Sequence, residues 1–145
     1  MNDMTASANQ LTRASVRDLM TPDPLTCHPD DHVLDAAARM QQHRVRHLPV
    51  VDGEERLLGM LADRDIRTAV GVLDRWMDDV GPGLAELRVA AAMSSPAITV
   101  PFDAAVGEVV RMLVELEIGA LPVVGADGRL VGIVSYIDIL RSLRS

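Results

Sequence analysis

Ser135 and Asp138 lie three residues apart, where an apolar run gives way to a helical pattern, and this spacing suits the binding of a polyol phosphate. A carboxylate at a helix start can accept hydrogen bonds from two vicinal hydroxyls. A serine hydroxyl beside it can donate to a phosphate oxygen, and the first helical amides add further donors. Serine and aspartate also cap helices in any protein, so on residue chemistry alone both readings stand. The stretch Gly59-Met60-Leu61-Ala62-Asp63-Arg64-Asp65 is related: it keeps the carboxylate at Asp65 but has Ala62 where the hydroxyl would be. Arg64 can supply a guanidinium contact to phosphate there, or can sit on the helix surface.

Two other chemistries are weaker. Cys27, His28, His32, His43 and His47 raise the question of a metal, since His28/His32 and His43/His47 are spaced i, i+4. Pro29 directly after His28 breaks the helical spacing, and no metal site is expected. Asp63 and Asp65 do not read as a catalytic pair, because residues this close at a helix start point in different directions. No nucleophile, base and orienting partner are visible together, and no enzyme is expected. All 14 basic residues are arginine, so a P-loop lysine and a pyridoxal Schiff base are excluded.

Composition narrows the class further. The 145 residues are 48% hydrophobic, enough to fill a core, while Trp76, Phe102 and Tyr136 are the only aromatics. The core must therefore be aliphatic, and stacking platforms for single-stranded nucleic acid are scarce. A net charge of −7 opposes binding to a polyanion, so nucleic acid is not an expected partner. A single cysteine fits a reduced compartment. The polar N-terminus does not read as a signal peptide, and no segment reaches the roughly 20 apolar residues of a membrane span. A cytoplasmic protein with no membrane partner is expected.

The elements that must position these residues occur twice. A shift of 73 residues aligns Val16–Ile66 with Val89–Ile139 without a gap, pairing LPVV at 48–51 with LPVV at 121–124. Identical pairs include Met20/Met93, Asp30/Asp103, Gly59/Gly132 and Asp65/Asp138. Each copy reads as a short strand (Leu25–Cys27; Ile98–Val100) and a helix with Asp30 or Asp103 as N-cap, the first running from about His32 to Gln42. Val33, Ala36, Ala37 and Met40 form one apolar face of that helix, and Val106, Val109, Val110 and Leu113 the other copy's. Two strands around a tight turn follow (47–51 and 56–61; 120–124 and 129–134), then a second helix from Asp63 or Tyr136. The fold class is α+β, two tandem β-α-β-β-α repeats. Boundaries fall at a tail (1–11), repeat 1 (12–67), a connector (68–88) and repeat 2 (89–145). Roughly 50 residues cannot cover both faces of a sheet, so the repeats are expected to pack together.

The segments V-R-D-L-M-T at 16–21, R-H-L-P-V-V-D at 46–52 and G-I-V-S-Y-I-D at 132–138 resemble the cystathionine β-synthase (CBS) domain family. The resemblance spans about Thr12 to Leu143. It implies a tandem CBS pair, or Bateman module, packed about a pseudo-twofold axis with two clefts between the repeats. It further implies an adenine nucleotide (AMP, ADP, ATP or a related adenosyl compound) as regulatory ligand, with no obligatory cofactor.

On that resemblance Ser135 and Asp138 bind phosphate and ribose, Gly119 and Ala120 admit the base to their backbone, and Ile98, Thr99 and Pro122 wall it. In repeat 1, Arg46 and His47 replace Gly119 and Ala120, which narrows access there. A second or cross-cleft site involves Arg44, Arg46, His47, Arg64, Asp65 and Arg67, the arginines reaching phosphates of a nucleotide held by repeat 2. The family also implies a homodimer, with Met112, Leu116, Leu140 and Leu143 as interface candidates, and a regulated partner protein. The alternative is a ligand-free interaction module.

Overall fold

A computed structural model describes residues 13–76 and 83–143. The tail at 1–11 and Gly81-Pro82 of the connector lie outside them. The strands are β1 (Thr21–Pro22), β2 (His47–Val51), β3 (Leu57–Ala62), β4 (Val100–Pro101), β5 (Ala120–Val124) and β6 (Leu130–Ser135). The helices are α1 (Val33–His43), α2 (Asp63–Trp76), the single turn α3 (Val89–Ala92), α4 (Val106–Leu116) and α5 (Tyr136–Ser142). The protein is α+β, with two tandem copies of one motif. No helix among the described residues is long and apolar enough to cross a membrane.

The packing units cut across the sequence repeats. One unit is formed by residues 25–97, and the other joins the segment up to Pro24 to residues 98 onward. In the second unit the sheet order is β1-β6-β5-β4, with β4 parallel to β5 and the other pairs antiparallel. The first unit has the same order with its edges reduced to single bridges: Ser94 to Met60 on one side, Cys27 to Val50 on the other. The strand expected at Leu25–Cys27 is thus only the Cys27 bridge. Its counterpart begins at Val100 rather than Ile98. Pro24 and Pro29 flank the first, and Pro96 and Pro101 the second, and the N–H groups these prolines lack limit how far either ladder can extend.

Exchange of the leading segments explains both cores. Val16, from the start of repeat 1, is fully buried among Val100, Val106, Val109 and Leu121. Val89, from the start of repeat 2, is fully buried among Val33, Leu48, Val50 and Leu61. Each valine contributes roughly 1.5–3 kcal/mol by its burial. The same segments complete the helix starts: the Val33 N–H donates to the Leu87 carbonyl at 2.8 Å, and the Val106 N–H to the Ala14 carbonyl at 2.9 Å. Asp30 and Asp103 are therefore not the N-caps. His32 and Ala105 hold that position without a side-chain bond, because a backbone carbonyl satisfies the first helical donor instead.

The expected apolar faces of α1 and α4 pack inward, with Val33, Ala36 and Met40 buried in one and Val106, Val109 and Leu113 in the other. Helix α2 runs on to Trp76, through residues 68–76 of the expected connector. Arg44 and Glu117 end α1 and α4 in the left-handed conformation, at φ 56° and 54°.

Candidate functional site

The β5–β6 hairpin gathers the expected binding residues of repeat 2. Its register sets Ala120 directly opposite Ser135 and Pro122 opposite Ile133. Gly119, just before β5, accepts a hydrogen bond from the Tyr136 N–H at 3.3 Å, which ties the two chain ends together at the α5 start. Gly119, Ala120, Ser135 and Asp138 thus share one end of the hairpin. Ile98 and Thr99 are exposed and lead into β4, which runs parallel to β5 with Val100 opposite Val123, so they lie beside the Leu121–Pro122 stretch.

Ser135 and Asp138 bind each other reciprocally. The Ser135 N–H donates to Asp138 Oδ2 at 2.8 Å, and the Ser135 hydroxyl donates to the same oxygen at 3.1 Å. The Asp138 N–H approaches Ser135 Oγ at 3.3 Å, completing a capping box. Both side chains are half-buried, and Asp138 Oδ1 makes no hydrogen bond among the described residues. The box orients the carboxylate and leaves one oxygen with acceptor capacity, so capping and ligand binding are compatible in one residue.

Repeat 1 builds the same frame from different side chains. His47 stands opposite Ala62, the Asp63 N–H donates to the Arg46 carbonyl at 2.8 Å, and the Ala62 N–H donates to Asp65 Oδ2 at 2.8 Å. Arg46, His47 and Asp65 therefore converge as their counterparts do. Arg67 forms an ion pair with Asp63 at 3.2 Å, whereas Arg44, Arg46 and Arg64 are exposed with no ion pair among the described residues. Burial pushes the His47 imidazole below its usual 6.5, an effect that Asp65 opposes and that Arg64 and Arg46 reinforce.

The histidines and cysteine take separate roles. His28 Nδ1 sits 2.9 Å from the Val51 carbonyl, and His32 lies 3.8 Å from Asp35. Cys27 is buried, and desolvation with Asp31 nearby pushes its thiol up to about 11. No group of three potential ligands gathers among the described residues.

The sequence matches the CBS domain family over residues 16–72 and again over 88–145. The chain belongs to the CBS domain family. This CBS pair is 30% identical over 127 residues to an uncharacterized protein of Methanopyrus kandleri, covering 88% of this chain and 61% of that protein. It is 32% identical over 123 residues to the inosine-5'-monophosphate dehydrogenase of Mycobacterium leprae, covering 85% and 21%. It thus spans less than two thirds of either relative. Among solved structures, the CBS pair of protein MJ0100, in complex with 5'-methylthioadenosine and S-adenosyl-L-methionine, aligns with a TM-score of 0.77 at 28% identity, covering 88% of this chain and 98% of that one. CBSX2 from Arabidopsis thaliana, in complex with AMP, aligns with a TM-score of 0.76 at 28% identity, covering 88% and 94%.

One part of the site's construction has no local sequence signal. The leading segment of repeat 1 lies along β6, with Thr21 opposite Ile133, and a Cβ on Gly132 would meet the Met20 side chain and the Thr21 carbonyl oxygen at 3.0 Å. In the other unit a Cβ on Gly59 would meet the Ser94 carbonyl oxygen at 2.5 Å. The identical pairs Met20/Met93 and Gly59/Gly132 are its only trace in the repeat alignment.

Proposed function

We propose that this CBS pair is a non-catalytic regulatory module of the cytoplasm that senses an adenine nucleotide through repeat 2. The observation that carries this reading is the end of the β5–β6 hairpin. There Asp138 is held by its capping box with Oδ1 free of any donor among the described residues, next to the small residues Gly119 and Ala120. In this reading Oδ1 accepts from the ribose hydroxyls, Ser135 serves phosphate, and Ile98, Thr99 and Pro122 line the base. Adenosyl ligands in complexes of the similar MJ0100 pair and CBSX2 support the ligand class.

Repeat 1 is the weaker site, because it lacks the hydroxyl at Ala62 and places Arg46 and His47 where repeat 2 has Gly119 and Ala120. Arg44, Arg46 and Arg64, without ion pairs among the described residues, favour a phosphorylated ligand over bare adenosine. Two copies of the chain pair as a homodimer, to which the exposed Leu116 and Leu140 contribute, whereas Met112 is packed on its own core. A thermal-shift panel of AMP, ADP, ATP, S-adenosylmethionine and adenosine tests the reading. A ligand bound only by the folded state raises the midpoint, and no shift with any of them would contradict it.

A further inference from the structure

Repeat 1 carries a side-chain contact that repeat 2 cannot make. The Arg39 guanidinium, on α1, donates to the backbone carbonyl of Thr26, just before the Cys27 bridge to Val50. Burial and Asp31 push the Cys27 thiol up while Arg39 pulls it down, so the guanidinium charge stands beside this same segment. Both residues belong to the unit formed by residues 25–97. The shift of 73 residues turns Thr26 into Thr99, which lines the base in the reading above, and Arg39 into Met112. A thioether has no N–H to donate, and Met112 is packed on its own core. The residue at this helix position therefore claims the Thr26 carbonyl in one repeat and leaves the Thr99 carbonyl alone in the other.

We propose that Arg39 is a specificity-determining residue that closes repeat 1 to the adenine base. The edge of adenine carries an exocyclic amine, a donor that the backbone beside the base must answer with a carbonyl. At Thr26 that acceptor is already bonded. The group on it is donor-only, so an incoming amine meets N–H groups in place of an oxygen. The rest of the repeat-1 frame is intact: Asp65 Oδ2 accepts from the Ala62 N–H at 2.8 Å as Asp138 Oδ2 does from the Ser135 N–H, and the exposed Arg46 and Arg64 can meet a phosphate. Arg39 thus discriminates against the base, and not against ribose or phosphate. The sign of its effect sets this apart from plain electrostatics. On charge alone, removing an arginine near an anionic ligand weakens binding, whereas freeing the Thr26 carbonyl strengthens it for a ligand that has the base.

This inference rests on the nucleotide reading above, and the test separates the two. Backbone amide shifts of the full chain are followed by NMR during titration with AMP and with ribose 5-phosphate, for wild type and Arg39→Met. The amides of Thr26, Ala62 and Asp65 report repeat 1, and those of Thr99, Ser135 and Asp138 report repeat 2. In Arg39→Met the AMP constant read at repeat 1 should tighten about three- to tenfold, the scale of one neutral hydrogen bond, while the constant at repeat 2 stays as in wild type. Ribose 5-phosphate, which has no base, should gain nothing. Arg39 is exposed, so the variant should fold as wild type does. Should it fail to fold, Arg39→Ala removes the same donor and should give the same gain. An unchanged or weaker AMP constant at repeat 1, or an equal gain for ribose 5-phosphate, overturns the assignment of Arg39. Failure of the nucleotide reading shows elsewhere, as AMP leaving the Thr99, Ser135 and Asp138 amides of wild type unmoved.

Discussion

Ser135 and Asp138 hold each other at both ends of one turn: the Ser135 N–H and hydroxyl reach Asp138 Oδ2 at 2.8 and 3.1 Å, and the Asp138 N–H reaches Ser135 Oγ at 3.3 Å. Stability and binding are therefore entangled at this carboxylate. Asp138→Ala should cost about 0.5–2 kcal/mol of stability through the lost cap. Asp138→Asn keeps an acceptor for the cap and removes the charge. It should weaken nucleotide binding by about 1.5–3 kcal/mol, roughly ten- to hundredfold, with a much smaller fall in thermal midpoint than Asp138→Ala. Calorimetric titration beside thermal melts of both variants checks the split.

The two repeats should bind unequally. A missing hydroxyl at Ala62 accounts for only about 0.5–1.5 kcal/mol, while Arg46 and His47 add bulk that no single hydroxyl offsets. Wild type should show one dominant site per chain in calorimetry, unaffected by Asp65→Ala. Ala62→Ser should strengthen any weak second site by no more than about tenfold. Two equal, independent sites in wild type would refute the asymmetry.

Gly59 and Gly132 are equivalent in the repeat yet should respond differently to alanine. At Gly59 the new Cβ meets a backbone carbonyl oxygen, of Ser94, at 2.5 Å, whereas at Gly132 the first obstacle is the flexible Met20 side chain, with the Thr21 carbonyl oxygen at 3.0 Å. Gly59→Ala should cost about 2–3 kcal/mol and Gly132→Ala about 1–2 kcal/mol, read as chemical-denaturation midpoints at unchanged slope.

His47 should give stability a pH dependence of known sign. Its folded-state value lies below the ordinary 6.5, so the unfolded chain binds the proton more tightly. Its contribution to stability is fully present above about pH 6.5, is lost as pH falls below that value, and levels off once pH is under the folded-state value. Thermal midpoints of His47→Gln should fall less steeply than those of wild type across that window. An identical slope would show that His47 titrates alike in both states.

Much of this fold was legible because the chain states it twice. LPVV at 48–51 and 121–124 became β2 and β5, the helices began at Asp63 and Tyr136 as expected, and the apolar stripes of α1 and α4 turned inward. What could not be read was non-local. Asp30 and Asp103 look like caps from their neighbours, but the Leu87 carbonyl accepts from the Val33 N–H and the Ala14 carbonyl from the Val106 N–H, each pair distant in sequence and brought together only by the fold. Likewise Val16 and Val89 belong by sequence to one repeat and by packing to the core of the other unit, a fact that no window of local pattern contains.

The most direct test of the central claim is calorimetric titration of wild type and Asp138→Asn with whichever of AMP, ADP, ATP or S-adenosylmethionine raises the thermal midpoint most. Saturable binding at one dominant site per chain is expected in wild type, weakened at least about tenfold in a well-folded Asp138→Asn protein. Wild-type affinity in that variant would contradict the assignment of the ribose to Asp138 and, with it, the reading of repeat 2 as the sensing site.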